Sequence, residues 1–318
     1  MTGSFFDAVL FSLSVTLPSI LLLCLGWYLR RSGQVEQRFC DQAAKIVFNY
    51  SLPTLLFFSI YASETDLAQN LNVVLAGTVC IMLLFIGAEI IARQTIKEPR
   101  DQGVFVQGVF RANMMIMGLA FVSSAYGASG VAIGAIFGGF LTLLLNVLAV
   151  ITLSKASGSS KFNPLLMARQ LITNPLIIAI LLALAFKTLK VPVSPLLAET
   201  GRYVAALALP LALICAGATL DLKRIFKATD IALWASIGRL IIAPIIAIIV
   251  GLLFKLDSMS LGVMLLMTAS PAAAASYVMA KAMGANDVAA ANIIGITTVG
   301  AMPTMAVSLT LLRYFGLI

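Results

Sequence analysis

Two polar side chains, Asn113 and Ser270, lie in the middle of long apolar stretches. An asparagine in hydrocarbon is costly unless its hydrogen-bonding groups are used. Pro271 follows Ser270, and because proline has no backbone N–H, the carbonyl of Met267 loses its helical partner. Non-helical backbone at membrane depth persists only where it is buried or lines a cavity. We therefore predict that both stretches are broken and that Asn113, Ser270 and Pro271 bind a substrate. An ordinary proline kink and a helix–helix hydrogen bond are the alternative interpretations.

Charged residues within the apolar stretches indicate the charge of that substrate. Arg111 and Arg239 lie too deep for their side chains to reach water easily, so each needs a partner. Glu89 is the clearly intramembrane acid, and Arg93, four residues later, can pair with it along one helix face. The surplus positive charge favours an anionic substrate and makes Arg111 a candidate ligand. Bonding to carbonyls freed at a helix break is the alternative for Arg111, and a structural role is preferred for Arg239. Glu89 is the candidate for proton coupling.

Three further polar side chains are weaker candidates. Thr54 follows Pro53 and offers a hydroxyl that could reach a binding site. Asn146 and Asn292 lie in two other apolar stretches and could likewise contact a substrate.

The composition is that of an all-α membrane protein. Hydrophobic residues make up 61% of the 318 residues and charged residues 11%, with a mean hydropathy of +1.04. Soluble domains carry roughly a quarter charged residues. The net charge of +8 does not indicate nucleic-acid binding, because the basic residues fall in short segments between apolar stretches. Histidine is absent and the four cysteines show no metal spacing. We therefore expect no metal, no cofactor and no enzymatic activity.

Ten apolar stretches are long enough to cross a bilayer as helices, which requires about 20 residues. These ten predicted spans are 8–29, 42–62, 71–93, 104–126, 129–153, 165–187, 197–220, 230–254, 259–283 and 288–313.

The two halves of the chain repeat each other. Leu52-Pro53 recurs as Leu209-Pro210, and Gly127 recurs as Gly284, with each pair separated by 157 positions. Ser270 stands at the same offset from Asn113. Residues 1–153 and 165–318 are thus predicted to be two five-helix repeats, joined by a cytoplasmic linker at 154–164. Because five is odd, the second repeat enters the membrane inverted, as in transporters whose site lies between the repeats.

The distribution of positive charge predicts the orientation. Fourteen of the 21 Lys and Arg residues fall in odd-numbered loops, and five fall in even-numbered loops and the termini. The positive-inside rule places the odd loops in the cytoplasm and both termini on the outer side of the cytoplasmic membrane. Arg30 and Arg31 follow the first apolar stretch, which predicts a retained transmembrane helix rather than a cleaved signal peptide.

Three motifs resemble those of the auxin efflux carrier family, the bacterial relatives of plant PIN-formed carriers. They are Ala112–Gly118 in the fourth span, Leu52–Phe57 in the second and Ser270–Lys281 in the ninth. In this resemblance Asn113 matches the asparagine of the crossing, and Ser270 and Pro271 match the crossing in the ninth span. The plant carriers usually have proline where this chain has Ala112.

The resemblance implies an architecture and a function. Spans 1–2 and 6–7 would form a scaffold domain that dimerises, and spans 3–5 and 8–10 a transport domain, in an arrangement like that of NhaA-type antiporters and bile-acid symporters. Broken spans four and nine would cross at a site that binds a carboxylate. The expected function is alternating-access transport, by efflux or exchange, of small organic anions such as malonate or auxin-like acids. Alternatives are a sodium-coupled symporter of the bile-acid type and a membrane regulator that transports nothing.

Overall fold

The computed structural model describes residues 5–63, 67–157, 173–220 and 229–318. Within these ranges the regular structure is helical, and Ala112 and Ala272 form an isolated antiparallel bridge. The predicted linker 154–164 lies outside the described residues from position 158 onward, as does the first part of the predicted sixth span.

The described helices are numbered in chain order. They are α1 Phe5–Arg31, α2 Gln37–Tyr61, α3 Leu67–Thr95, α4 Pro99–Phe110, α5 Leu119–Ser157, α6 Pro175–Thr188, α7 Pro195–Ala218, α8 Asp230–Leu253, α9 Ser258–Thr268, α10 Ala275–Ala282 and α11 Asp287–Tyr314. A π-helical turn interrupts α2 at Val47–Ser51 and α8 at Gly238–Ile242, and a third, Met114–Gly118, leads directly into α5.

Seven described helical segments are long and apolar enough to cross a membrane, and two shorter apolar helices, α6 and α9, accompany them. The chain is therefore a multi-pass membrane protein. The sixth predicted span is described only from residue 173. Two other predicted spans differ from the structure because they are interrupted. The predicted fourth span is divided between α4 and the first part of α5, and the predicted ninth span is divided between α9 and α10.

Glycines with positive φ end the second part of each divided span. At Gly127, φ is 58° and ψ is −146°, so α5 consists of two parts that meet at a sharp change of direction. Gly284, with φ of 69°, lies between α10 and α11. Side chains are disfavoured at such φ values, and glycine adopts them without steric cost.

The helices pack into one continuous core. Helix α1 contacts α7 and α11, α2 contacts α6 and α7, and α3 contacts α4, α5 and α8. Helix α9 is buried from Ser260 to Thr268, whereas α10 buries only Ser276 and Ala280. Large exposed apolar side chains such as Leu21, Ile90 and Ile249 cover the outside, as a bilayer requires.

Two glycines allow helices α1 and α7 to approach each other closely. A Cβ atom added to Gly217 of α7 would overlap the carbonyl of Leu23 in α1, and one added to Gly26 would overlap the carbonyl of Ile214. Small residues allow such backbone contact between helices in membranes.

We predict that Gly217→Ala lowers the free energy of unfolding by about 1–3 kcal/mol, because the new methyl group must push α1 away from α7. Gly87→Ala in α3 is the matched control, since nothing lies within 4 Å of its added Cβ. Thermal unfolding in detergent measures both variants. Equal melting temperatures for Gly217→Ala and the wild type would contradict the predicted contact.

Candidate functional site

Two interrupted helices meet at the centre of the protein. Helix α4 ends at Phe110, and helix α9 ends at Thr268. The connecting segments run antiparallel and exchange backbone hydrogen bonds. The Asn113 N–H donates to the Pro271 carbonyl at 2.7 Å, and the Ala273 N–H donates to the Arg111 carbonyl at 3.0 Å. Each break therefore supplies partners for backbone groups that the other break leaves without helical partners.

A hydroxyl from a third helix completes this pairing. The Ala272 N–H donates to Thr297 Oγ1 at 3.0 Å, and that hydroxyl donates to the Ile293 carbonyl of its own helix, α11, at 2.7 Å. Thr297 is completely buried. Thr297 is not among the candidates predicted from the sequence, although the adjacent pair Thr297-Thr298 in an apolar span was a detectable signal.

The end of α9 is capped by an uncharged group. Ser270 Oγ donates to the Met267 carbonyl at 2.8 Å, which is the carbonyl that Pro271 leaves without a helical donor. Thr268 Oγ1 donates to the Met264 carbonyl at 2.5 Å. Ser270 is fully buried. Its hydroxyl proton is thus used to stabilise the break, and only its oxygen lone pairs remain for other contacts.

The end of α4 is capped by a positive charge. In an uninterrupted helix the Val109 carbonyl would accept from the Asn113 N–H. Here Arg239 NH1 donates to that carbonyl at 2.9 Å. Arg239 is completely buried, and the π-helical turn of α8 carries it. This contact matches the structural role that the sequence analysis preferred for Arg239.

The structure brings two of the predicted candidates together. Arg111 NH2 donates to Asn146 Oδ1 at 2.7 Å, and Arg111 NH1 lies 3.1 Å from the Met279 sulfur of α10. Arg111 is 6% exposed, and no carboxylate within the described ranges pairs with it. A guanidinium carries five N–H donors, so these two contacts leave others available to an anion.

Asn113 is the accessible polar group of the crossing. Its side chain is half-buried and makes no capping hydrogen bond to the turn that follows, Met114–Gly118. The turn leading into α5 begins at Met114, directly after Asn113. Helix α10 begins at Ala275, two residues after the Ala273 N–H that donates to the Arg111 carbonyl, and Ala274 and Ala275 are exposed. N-terminal ends carry partial positive charge and unpaired N–H groups, which favour a bound anion.

The remaining predicted residues make contacts elsewhere. Thr54 Oγ1 donates to the Tyr50 carbonyl of its own helix at 2.7 Å. Asn292 is buried in α11 at 2% exposure and has a partner within the protein. Glu89 Oε1 accepts from Thr152 Oγ1 at 2.8 Å, and Oε2 lies 3.4 Å from Arg93 Nε. The structure therefore groups Asn113, Ser270, Pro271, Arg111 and Asn146 at the crossing.

A cavity of about 300 Å³ lies beside the first part of α5. Its walls come from α1, α2, α7 and α5, and the hydroxyls of Ser19, Ser123 and Ser124 line it. Pro18 and Pro210 form part of its opposite wall. Volumes of this order hold small ligands.

Comparison with known proteins assigns the chain to a family. The family model described as membrane transport protein matches residues 12–158 and 162–309. The chain belongs to this family, the auxin efflux carriers, and is a transporter rather than an enzyme. An uncharacterized transporter of Methanothermobacter thermautotrophicus is 24% identical over 272 residues, which cover 85% of this chain and 88% of that protein.

We predict that Thr297→Val lowers the free energy of unfolding by about 1–3 kcal/mol, because the Ala272 N–H at the crossing then lacks an acceptor. Thr298→Val is the matched control, since the Thr298 hydroxyl donates to the Ile294 carbonyl of its own helix. Valine keeps the shape of threonine in both variants. The measurement is thermal unfolding in detergent, and equal losses of stability in the two variants would refute the bridging role of Thr297.

Proposed function

We propose that this protein is a secondary transporter of small organic anions, such as malonate and related carboxylates, which works by alternating access around the crossing of α4–α5 with α9–α10. The observation that carries the proposal is the half-buried Asn113 amide at the crossing, whose side chain forms no capping hydrogen bond. An amide N–H₂ group donates two hydrogen bonds and suits a carboxylate oxygen.

The electrostatics of the crossing support an anionic substrate. Arg111 is nearly fully buried there and Arg239 is fully buried. Neither has a carboxylate partner within the described ranges. The N-terminal ends at Met114 and Ala275 add partial positive charge on the side of Asn113. A carboxylate beside Asn113 would supply the negative charge that the described surroundings of these groups lack.

The proposed architecture is two inverted five-helix repeats. Both interruptions occur at positions related by the 157-residue offset, Asn113 and Ser270, and both are followed by a positive-φ glycine, Gly127 and Gly284. In this proposal residues 1–153 and 165–318 form the repeats. The predicted spans 1–2 and 6–7 form a scaffold, through which two copies associate as a homodimer. Predicted spans 3–5 and 8–10 form the moving transport domain.

The proposed location is the cytoplasmic membrane with both termini on the outer side, on the basis of the positive-inside distribution. The cavity lined by Ser123 and Ser124 would then open toward the outer side of the crossing. It lies between α1, α2 and α7 on one side and α5 on the other, where a scaffold and a transport domain would slide past each other.

The test is counterflow of labelled malonate in proteoliposomes. We predict exchange by the wild type and a loss of about tenfold or more in Asn113→Ala, because a lost hydrogen bond to a charged group is worth roughly 1.5–3 kcal/mol. Asn72→Ala is the control, since Asn72 binds the Phe254 carbonyl. Unlabelled acids serve as competitors.

Two results would count against the proposal in different ways. Unchanged exchange in Asn113→Ala would place the binding site elsewhere. Absence of exchange by the wild type with every acid would refute organic-anion transport and favour another substrate class or a regulator.

Proton coupling would have to rest on Glu89 among the described intramembrane residues. We predict that Glu89→Gln keeps the wild-type pH dependence of transport, because Thr152 and Arg93 bind both carboxylate oxygens and indicate a structural role. Glutamine preserves the acceptor for Thr152. The measurement is the uptake rate of the wild type and of Glu89→Gln over a series of pH values. A rate that depends on pH in the wild type but not in the variant would make Glu89 the proton carrier.

A further inference from the structure

Arg239 is a permanent positive charge that is fully removed from solvent. Its exposure is 0%, and its Nε and NH2 atoms have no hydrogen-bond partner within the described part of the chain. Burial of an unpaired ion costs several kcal/mol even after the protein relaxes. A residue in this position therefore requires a compensating interaction.

That interaction is with the C-terminal end of α4. The single protein partner of the guanidinium in the described structure is the Val109 carbonyl, which the break after Phe110 leaves without a helical donor. A helix C-terminal end carries roughly half a negative elementary charge, so a cation there is favourable. Arg239 thus neutralises the end of a half-helix at the crossing.

Close packing brings the two groups together. A Cβ on Gly238 would lie 2.8 Å from Val109 Cγ2, and one on Gly108 would lie 3.1 Å from the Cβ of Ala235. These glycines allow α8 to approach the backbone of α4. The π-helical turn Gly238–Ile242 then directs Arg239 toward the carbonyl. Such turns are frequent at functional sites.

The equivalent end of α9 has no such charge. The Ser270 hydroxyl caps it. In transporters with broken helices, half-helix C-terminal ends and unwound carbonyls are the groups that coordinate coupling sodium ions. In this protein the C-terminal end of α4 already holds a cation, the guanidinium of Arg239.

We propose that Arg239 is a tethered cation that takes the place of a coupling sodium ion at the crossing, so that anion transport proceeds without sodium. Arg239 acts as a positioning residue. It holds the Val109 carbonyl, and through the turn at Arg111 it fixes the orientation of Asn113. The inference rests on the proposed transport of organic anions and specifies the cation requirement of that site.

The first test compares malonate counterflow by the wild type with sodium, potassium or choline as the sole cation. We expect equal rates in all three. Arg239→Ala should lose about tenfold or more, equivalent to a barrier increase of roughly 1.4 kcal/mol. Millimolar guanidinium should restore transport in this variant, whereas Arg239→Lys should retain part of it without rescue. Arg202→Met, which removes an exposed arginine on α7, is the control.

A second readout does not depend on transport. Guanidinium or sodium should raise the melting temperature of Arg239→Ala and leave that of the wild type unchanged, because only the variant has an empty cation position. A requirement of the wild type for sodium would overturn the inference. So would a folded Arg239→Ala that transports like the wild type, or one that neither cation stabilises or rescues. If the wild type exchanges no acid, the proposed function fails, and the melting temperatures alone decide the role of Arg239.

Discussion

The hydrogen bonds exchanged between two interrupted helices are the interaction on which the rest of the structure depends. An unpaired backbone group in hydrocarbon costs several kcal/mol, so a helix break at membrane depth survives only if something replaces the lost partners. Here each segment supplies hydrogen-bond partners to the other. The Asn113 N–H donates to the Pro271 carbonyl, and the Ala273 N–H donates to the Arg111 carbonyl. Neither break can be satisfied in this way without the other. The two segments therefore form one unit that fixes the backbone at Asn113, whose side chain forms no capping hydrogen bond to the turn that follows.

The groups that cap the two freed helix ends differ in charge, and this difference connects the fold with its chemistry. Ser270 closes the end of α9 with a neutral hydroxyl, whereas Arg239 closes the end of α4 with a guanidinium. Arg111 adds a second buried positive charge, held by Asn146. Together with helix N-terminal ends, these charges make the crossing favourable for an anion. In the proposed function, the geometry that satisfies the backbone would also select a negatively charged solute.

Local chemistry made the breaks predictable, because Pro271 removes a helical donor and Asn113 is costly in hydrocarbon. The individual candidates Arg111 and Asn146 were also recognisable as unusual residues for an apolar span. Their pairing was not, because it depends on how α5 turns at Gly127 and packs against α4. The Arg239–Val109 contact joins residues 130 positions apart and depends on close helix packing, which sequence spacing does not encode. Helix bounds followed the apolar pattern closely, except where tertiary partners allowed a helix to stop within the membrane.

We propose that the crossing beside Asn113 holds the carboxylate of the transported acid. The most direct measurement is an experimental structure with a bromine-labelled dicarboxylate, located by the anomalous signal of the bromine. We expect a carboxylate within hydrogen-bond distance of the Asn113 amide, facing the N-terminal ends at Met114 and Ala275. A bromine signal confined to a position away from the crossing, such as the lipid-facing surface, would contradict it.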